Sequence, residues 1–446
     1  MSKVAGILGV LAIPCVVAAV IVPASAAANP AQRGRVQEAT PSAASTAAAS
    51  TAAASTAAAL TPPMGFDAWY QDGCNATQQD ILSNAQALVS SGLAADGYDY
   101  VILDDCWMAR TRSASGALRP RKAAFPNGIA WLARHVHALG LKLGIYESAG
   151  TRTCRGYPGS YGHYAEDAKT FATWGVDYVK LDSCGMPKGV SQAPLFREFG
   201  ADLAADNPAI VYSEELPVHA ATNPASATFM RYVTVSSQIA NLWRVTPDEK
   251  DTLPAPTVLN IALTADLPLA QYASPGHWND LDLLVTGNTV FNWTTLQQQA
   301  QLSIWAEMSS PLIVSANLAN PTSVAHLASR ASATGSLLAN KAVIAVDQDP
   351  VQGKQTGAYG RMKVIVKAMP SGGYAVLVVN TAPTKRTVTV PLSVMGIPAG
   401  ASWQALWSSQ HFVGSTSVTF FLHGGGTILY EVTPATTSSA ATGSGK

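Results

Sequence analysis

The chain has 446 residues, with 28 Lys+Arg against 28 Asp+Glu and a formal net charge of zero. That balance excludes the basic profile of a nucleic-acid binder and the acid excess of a solvating tail. Charged residues make up 13 % and apolar ones 48 %, which supplies a large core and excludes whole-chain disorder.

The ends separate from the rest by composition. Lys3 precedes an apolar run from Val4 to Val22, and Pro23-Ala-Ser-Ala-Ala follows it. A charged start, an apolar stretch and a small-residue exit form a secretory signal peptide, expected over 1–26 with cleavage after Ala26. Cys15 follows Pro14, where a lipoprotein signal would want a small residue. No later segment has the roughly 18 uninterrupted apolar residues of a membrane span, so none is expected after cleavage. Residues 27–60 are rich in Ala, Ser, Thr and Pro, with TAAAS recurring from Thr46. With no amphipathic face to pack, they read as a linker. The stretch 434–446 reads as a similar tail.

Between these ends, apolar runs alternate with helix-period stretches. The runs are Met64–Trp69, Tyr98–Asp105, Leu141–Glu147, Val176–Asp182, Ala209–Glu215, Leu242–Thr246, Gly276–Leu284 and Pro311–Ala316. Eight strands with helices between them imply parallel pairing and right-handed crossovers. Their span suits a (β/α)8 TIM barrel over 61–348, with an open doubly wound sheet as the second possibility. Acids sit at the C-terminal ends of the runs: Asp67, Asp104, Asp105, Glu147, Asp182, Glu215, Asp280 and Asp282. That rim is where barrel active sites form. From 349 to 433 the pattern changes to β-rich runs such as Arg361–Met369, Tyr374–Asn380, Arg386–Val390 and Ser417–Leu422, separated by Gly, Pro and Thr turns. This reads as a C-terminal antiparallel β-sandwich domain that caps the barrel.

No nucleotide-binding, zinc-protease or serine-hydrolase motif is present, and no cofactor or metal is expected. His135 and His137 fall in a helix pattern and read as surface residues. Any chemistry therefore rests on the acids, and paired carboxylates are what glycoside hydrolysis requires. In Val179-Lys-Leu-Asp182, Lys180 and Asp182 point to the same face, so the lysine is expected to favour an ionised Asp182. Four cysteines remain after the signal: Cys74, Cys106, Cys154 and Cys184. In an exported chain they suggest two disulfides, with three possible pairings.

An ordered series of motifs runs through 61–433: TPPMGFDAWYQDGC, GYDYVILDDCW, the FPNG and LARHVHALGLKLGIY stretches, CRGYPGS, WGVDYVKLDSC, LWRVTPD, PGHWNDLDLL, SIWAEMSSPLIVSANL and VIAVDQDP. The chain thereby resembles the retaining α-galactosidases of glycoside hydrolase family 27, the melibiase group. The resemblance implies a nucleophile at Asp182 and an acid/base at Asp248. It implies a sugar pocket formed by Phe66, Asp104, Asp105, Tyr146, Cys154, Lys180, Glu215, Arg244 and Asp282. It also implies the disulfides Cys74–Cys106 and Cys154–Cys184, and a carbohydrate partner of the α-galactoside class. Departures from the family pattern are Phe66 and Asp67 for its Trp-Asn, Leu281 and Leu283 for Pro and Met, and His219 near the position of an expected aromatic. Relatives in the family also act as β-L-arabinopyranosidases, α-N-acetylgalactosaminidases or isomaltose-releasing dextran hydrolases. A carbohydrate-binding relative without catalysis would lack Asp182 or Asp248; both are present.

Overall fold

The computed structural model describes residues 58–217, 223–330, 336–370 and 372–435. The signal segment 1–26, the linker up to residue 57, His219 and the tail from 436 lie outside the described residues. Ala58–Leu60, placed in the linker by composition, dock on the barrel: Ala58 is buried, and the Ala59 carbonyl accepts from Trp278 Nε1 at 2.8 Å.

Eight parallel strands form the barrel: β1 (Met64–Asp67), β2 (Tyr98–Leu103), β3 (Lys142–Ser148), β4 (Tyr178–Asp182), β5 (Val211–Glu214), β6 (Leu242–Arg244), β7 (Trp278–Asp280) and β8 (Leu312–Val314). They pair in the order β7-β6-β5-β4-β3-β2-β1-β8. The ring closes beyond the end of β7, where Leu284 bridges Val314 in parallel. A helix follows each strand: α1 (Gln78–Ser90), α2 (Ile129–Ala138), α3 (Tyr164–Trp174), α4 (Gln192–Asp206), α5 (Ala227–Ile239), α6 (Ala255–Asp266), α7 (Thr295–Met308) and α8 (Pro321–Leu327). A further helix, α9 (Lys341–Asp347), leads out of the barrel. Thr77 caps α1 in a capping box with Asp80, two orphan donors satisfied reciprocally, and Thr294 and Gln297 do the same for α7. His135 and His137 are exposed on α2 as expected.

Strand alternation divides the barrel residues into two sets. Met64, Phe66, Val101, Leu103, Leu143, Ile145, Val179 and Leu181 pack outward in the cluster shared with the helices. Tyr100, Ile102, Tyr178, Val211, Leu242, Trp278 and Ile313 fill the interior. The same alternation aims Asp67, Asp104, Lys180, Asp182 and Arg244 into the mouth.

The C-terminal domain has a six-stranded antiparallel sheet in the order β14-β13-β16-β11-β10-β9 and a two-stranded sheet of β12 and β15. Its strands are β9 (Lys354–Tyr359), β10 (Met362–Ala368), β11 (Tyr374–Asn380), β12 (Arg386–Pro391), β13 (Ser402–Ala405), β14 (His411–Val413), β15 (Ser417–Leu422) and β16 (Thr427–Thr433). Val364, Val376, Val378, Trp403 and Val432 face the two-stranded sheet. Ile365, Leu377, Val379 and Leu429 face the barrel. Burial on both faces explains why β11 reads as an unbroken apolar run rather than an alternating one.

Candidate active site

The acid-rich mouth is built from strand ends. The last inward residue of β4 is Asp182, whose carboxylate is held at both oxygens. Oδ1 accepts the Ser183 N–H at 2.5 Å and Oδ2 accepts the Tyr146 hydroxyl at 2.7 Å. Cys154 Sγ lies 2.9 Å from Oδ2; it is bonded to Cys184 and has no proton to donate. Both disulfides, Cys74–Cys106 and Cys154–Cys184, are formed. The grouping of Cys154, Asp182 and Cys184 offers no thiolate to a metal, because both sulfurs are already bonded.

Asp104 and Asp105 follow β2 at adjacent positions. Asp104 Oδ2 accepts from Lys180 Nζ at 3.0 Å, and Asp105 Oδ2 accepts the Arg155 N–H at 3.0 Å. The chain turns there through Cys106, whose φ is +76°, a region non-glycine residues rarely enter, and the turn lets both carboxylates face the mouth. Burial, then the neighbouring Asp104, pushes Asp105 up to about 6.

Lys180 corrects a sequence expectation. It pairs with Asp104 at 3.0 Å and Glu215 at 3.3 Å, and not with Asp182. Burial, followed by repulsion from Glu215, pushes Asp182 up to about 8; Tyr146 and the field of Lys180 pull against this and lose. The lysine points inward as the alternation required, but its reach carries it toward β2 and β5.

Arg244, at the end of β6, joins three acids. Its Nη1 meets Glu215 at 3.2 Å; its Nη2 meets Asp248 at 2.9 Å and Asp282 at 2.5 Å. Asp248 stands at the rim with its side chain 66 % exposed, and the guanidinium holds its carboxyl below the usual range against the opposing effect of burial. Asp282 Oδ2 also accepts from the Tyr70 hydroxyl at 2.7 Å and the Glu249 N–H at 2.8 Å, and Oδ1 accepts the Leu283 N–H. So saturated, with φ at +83°, it orients Arg244 more than it faces the mouth.

Two expected site residues lie elsewhere. Phe66 is wholly buried in the outward cluster, because the period-two alternation of β1 turns Met64 and Phe66 to the helices and Asp67 to the interior. Glu147 likewise faces out of β3, against Asp167 and Arg112, and contributes nothing to the acid ring. Asp67, one of the strand-end acids, does reach the mouth, and Tyr70 joins it there through Asp282. Asp67 Oδ1 accepts the Trp69 N–H at 2.8 Å, and Trp69 lies under the Arg155 guanidinium at 5.6 Å. Burial, then Asp104, raises the Asp67 pKa well above the carboxylate range. Asp67 is legible in the sequence as a strand-end acid; Tyr70 carries no local signal for its partner 212 positions away. Of the two leucine departures, Leu283 packs with the interior set and Leu281 with the outward one.

Comparison with known proteins agrees with this geometry. The family described as Alpha galactosidase A matches residues 61–349, and the Alpha galactosidase C-terminal beta sandwich domain matches 359–432. An α-galactosidase of Cyamopsis tetragonoloba is 36 % identical over 366 residues, spanning 79 % of this chain and 82 % of that protein. Alpha-galactosidase A of Homo sapiens is 34 % identical over 352 residues, 75 % of this chain and 78 % of the other. The crystal structure of α-galactosidase I from Mortierella vinacea superposes with a TM-score of 0.72 at 28 % identity, covering 85 % of this chain and 99 % of that one. A barrel with acids converging at its C-terminal mouth, a β domain docked on its flank, and sequence identity of this extent over both parts have one reading: the chain belongs to the α-galactosidase, or melibiase, family of glycoside hydrolases.

Proposed function

We propose that the chain is a secreted retaining exo-glycosidase that removes terminal α-D-galactosyl units, with Asp182 as nucleophile and Asp248 as acid/base. The observation that carries this reading is the contrast between the two carboxylates. Asp182 is buried and fixed at both oxygens, as an attacking group must be. Asp248 is exposed at the rim on a different strand end, where a leaving group departs and water enters. Asp104 and Asp105 retain lone pairs for the sugar 4- and 6-hydroxyls, and Glu215 accepts from the 2-hydroxyl. An acetamido group at that position would meet a carboxylate, so the N-acetylated sugar is disfavoured. Asp282 is a positioning residue for Arg244, and residues 61–348 carry the chemistry while 349–433 support them. Secretion rests on the n-region, apolar run and small-residue exit of residues 1–26. Among the described residues no helix is long and apolar enough to cross a membrane.

The two carboxyls are shifted in the sense opposite to what this chemistry needs. Burial pushes Asp182 up to about 8 while Arg244 lowers Asp248, so a proton shared by the pair is favoured on Asp182. Double displacement needs Asp182 ionised and Asp248 protonated. A 2-hydroxyl donating to Glu215 would weaken that acid's repulsion of Asp182. A sugar closing over the mouth would strip water from Asp248. Both changes move the proton from the nucleophile toward the acid.

Mass spectrometry after treatment with a 2-fluoro-galactosyl donor should find the label on the peptide holding Asp182. Asp248→Ala should lose far more activity on poor leaving groups than on activated aryl galactosides. A label on another peptide, or equal losses on both substrates, would overturn the assignment.

A further inference from the structure

Outside the acid-rich mouth, the loops after β2 and β3 carry an unbalanced positive charge. Residues 106–128 contain Arg110, Arg112, Arg119, Arg121 and Lys122 and no acid, and 149–163 contain Arg152 and Arg155 and no acid. In a chain of zero net charge this is a local segregation. The two loops border a groove of about 380 Å³ lined by Arg110, Arg152, Thr111 and Tyr161.

The groove is rigidly built. Residues 108–120 form one hairpin, closed by the Met108–Pro120 bridge and the Ala109 N–H to Arg119 carbonyl bond at 2.7 Å. Residues 150–161 form another, closed by the Arg152–Pro158 bridge and clipped to the loop after β4 by Cys154–Cys184. Gly150 and Gly185 permit that clip: a Cβ on Gly150 would meet the Cys184 carbonyl oxygen at 2.1 Å, and one on Gly185 the Arg152 oxygen at 2.3 Å. Arg110 is fixed over the Tyr157 ring at 4.3 Å. Arg112, at the groove floor, is spent on Asp167 at 2.6 Å, and Glu166 on the margin is held by His163 at 3.1 Å. Among the described residues, neither Arg110 nor Arg152 has a carboxylate partner within salt-bridge distance. Tyr161, 37 % exposed, adds an aromatic ring to the same wall.

We propose that this groove binds a carboxylate-bearing sugar, a uronic acid unit of a galactosylated acidic polysaccharide. Two free guanidiniums suit a planar carboxylate, and a tyrosine ring suits the apolar face of a pyranose. Its place in the barrel sets its use. The groove lies after β2 and β3, four and three strands from β6 and so across the mouth from Asp248; it does not take the leaving group. It holds a neighbouring acidic unit of the polymer while a galactosyl branch enters the pocket. Arg155, on the same hairpin and over Trp69, continues the positive charge to the pocket edge. The inference rests on the α-galactosidase reading and deepens it by naming the class of polymer.

The test is calorimetric titration of the intact protein with trigalacturonate, which has no α-galactosyl terminus, beside kinetics on a neutral aryl α-galactoside. Binding is expected at low salt, weakening with added salt, and weakening at least about 10-fold in Arg110→Gln/Arg152→Gln, since each substitution removes a charge-assisted contact. Both arginines are exposed, so the variant should keep its Tm and its kcat/KM on the neutral substrate. No binding, equal binding by the variant, or displacement of the uronate by free galactose would overturn the groove. Uronate binding without aryl galactoside hydrolysis would instead sink the catalytic reading, and hydrolysis without uronate binding would sink the groove alone.

Discussion

Lys180, part-buried in the barrel mouth, and Lys367, buried at the junction of barrel and β domain, both have carboxylates nearby, and they are used in opposite ways. Burial opposes the charge on Lys180, but Asp104, Glu215 and Asp67 outweigh it and hold its pKa well above the ordinary value. Burial also opposes the charge on Lys367, and there Glu307, Asp347 and Asp349 offset it only in part, so its pKa is lowered. The contacts explain the difference. Lys180 makes ion pairs at 3.0 and 3.3 Å. Lys367 Nζ instead donates to the Ala306 carbonyl, to Ser309 Oγ at 2.7 Å and to the Val346 carbonyl. Ala306 and Val346 lie in the last turns of α7 and α9, so one ammonium from β10 caps two helix C-termini, where the helix dipole favours a cation. The mouth uses its lysine to hold several acids together at the proposed active site; the junction uses its lysine to fasten one domain to the other.

Replacing each lysine by methionine should separate those uses. Lys180→Met leaves Asp104 and Glu215 without their shared cation. It should lower kcat/KM on an aryl α-galactoside by about 10²–10³-fold, the usual loss of one preorganised electrostatic group. Lys367→Met removes three hydrogen bonds at the domain junction and should destabilise the fold by about 3 kcal/mol, with kcat/KM unchanged. Thermal melting and steady-state kinetics on the same two variants check the contrast. A Lys367 variant that loses activity but keeps its Tm would erase it.

A smaller and sharper effect is expected in the pH profile. With Asp182 and Asp248 as the proposed catalytic pair, the reactive form would hold one proton between them, so kcat/KM should be bell-shaped. The alkaline limb reports loss of that proton and should fall near Asp182's value of about 8. The acid limb reports a second proton reaching Asp248, and should lie below the ordinary carboxylate value of 3.8, because Arg244 lowers it. Glu215 is the largest charge raising Asp182, so Glu215→Gln should move the alkaline limb to lower pH. An unmoved limb would assign that proton elsewhere.

Much of the fold was legible locally. The run Tyr374–Asn380 matches β11 residue for residue, and Ser417–Leu422 matches β15, because apolar residues bounded by turn-formers mark a strand directly. The short strands β13 and β14 went unmarked: His411–Val413 is three residues long and carries an exposed charge-capable end, so only its partner makes it a strand. In the mouth, residue type and motif placed Asp104, Asp105, Asp182, Arg244 and Asp248 together at one end of the barrel. Phe66 and Glu147 failed for one shared reason: they sit one residue out of phase with the inward face, and a position at a strand end does not by itself state its direction.

The sequence by itself determined the barrel, the β domain and the acids at the strand ends, since these follow from periods of two and 3.6 residues and from residue chemistry along one stretch of chain. It also carried the motifs by which the two disulfide pairings follow from the family. Only the tertiary structure decided where each charge is spent. Lys180 passes over Asp182 to reach Asp104 and Glu215, Asp282 is consumed by Arg244, Tyr70 and Glu249, and Asp248 is held below the carboxylate range while Asp182 is pushed above it. Those outcomes depend on distances between strands far apart in the chain and on how completely water is excluded. Neither quantity exists until the barrel has closed.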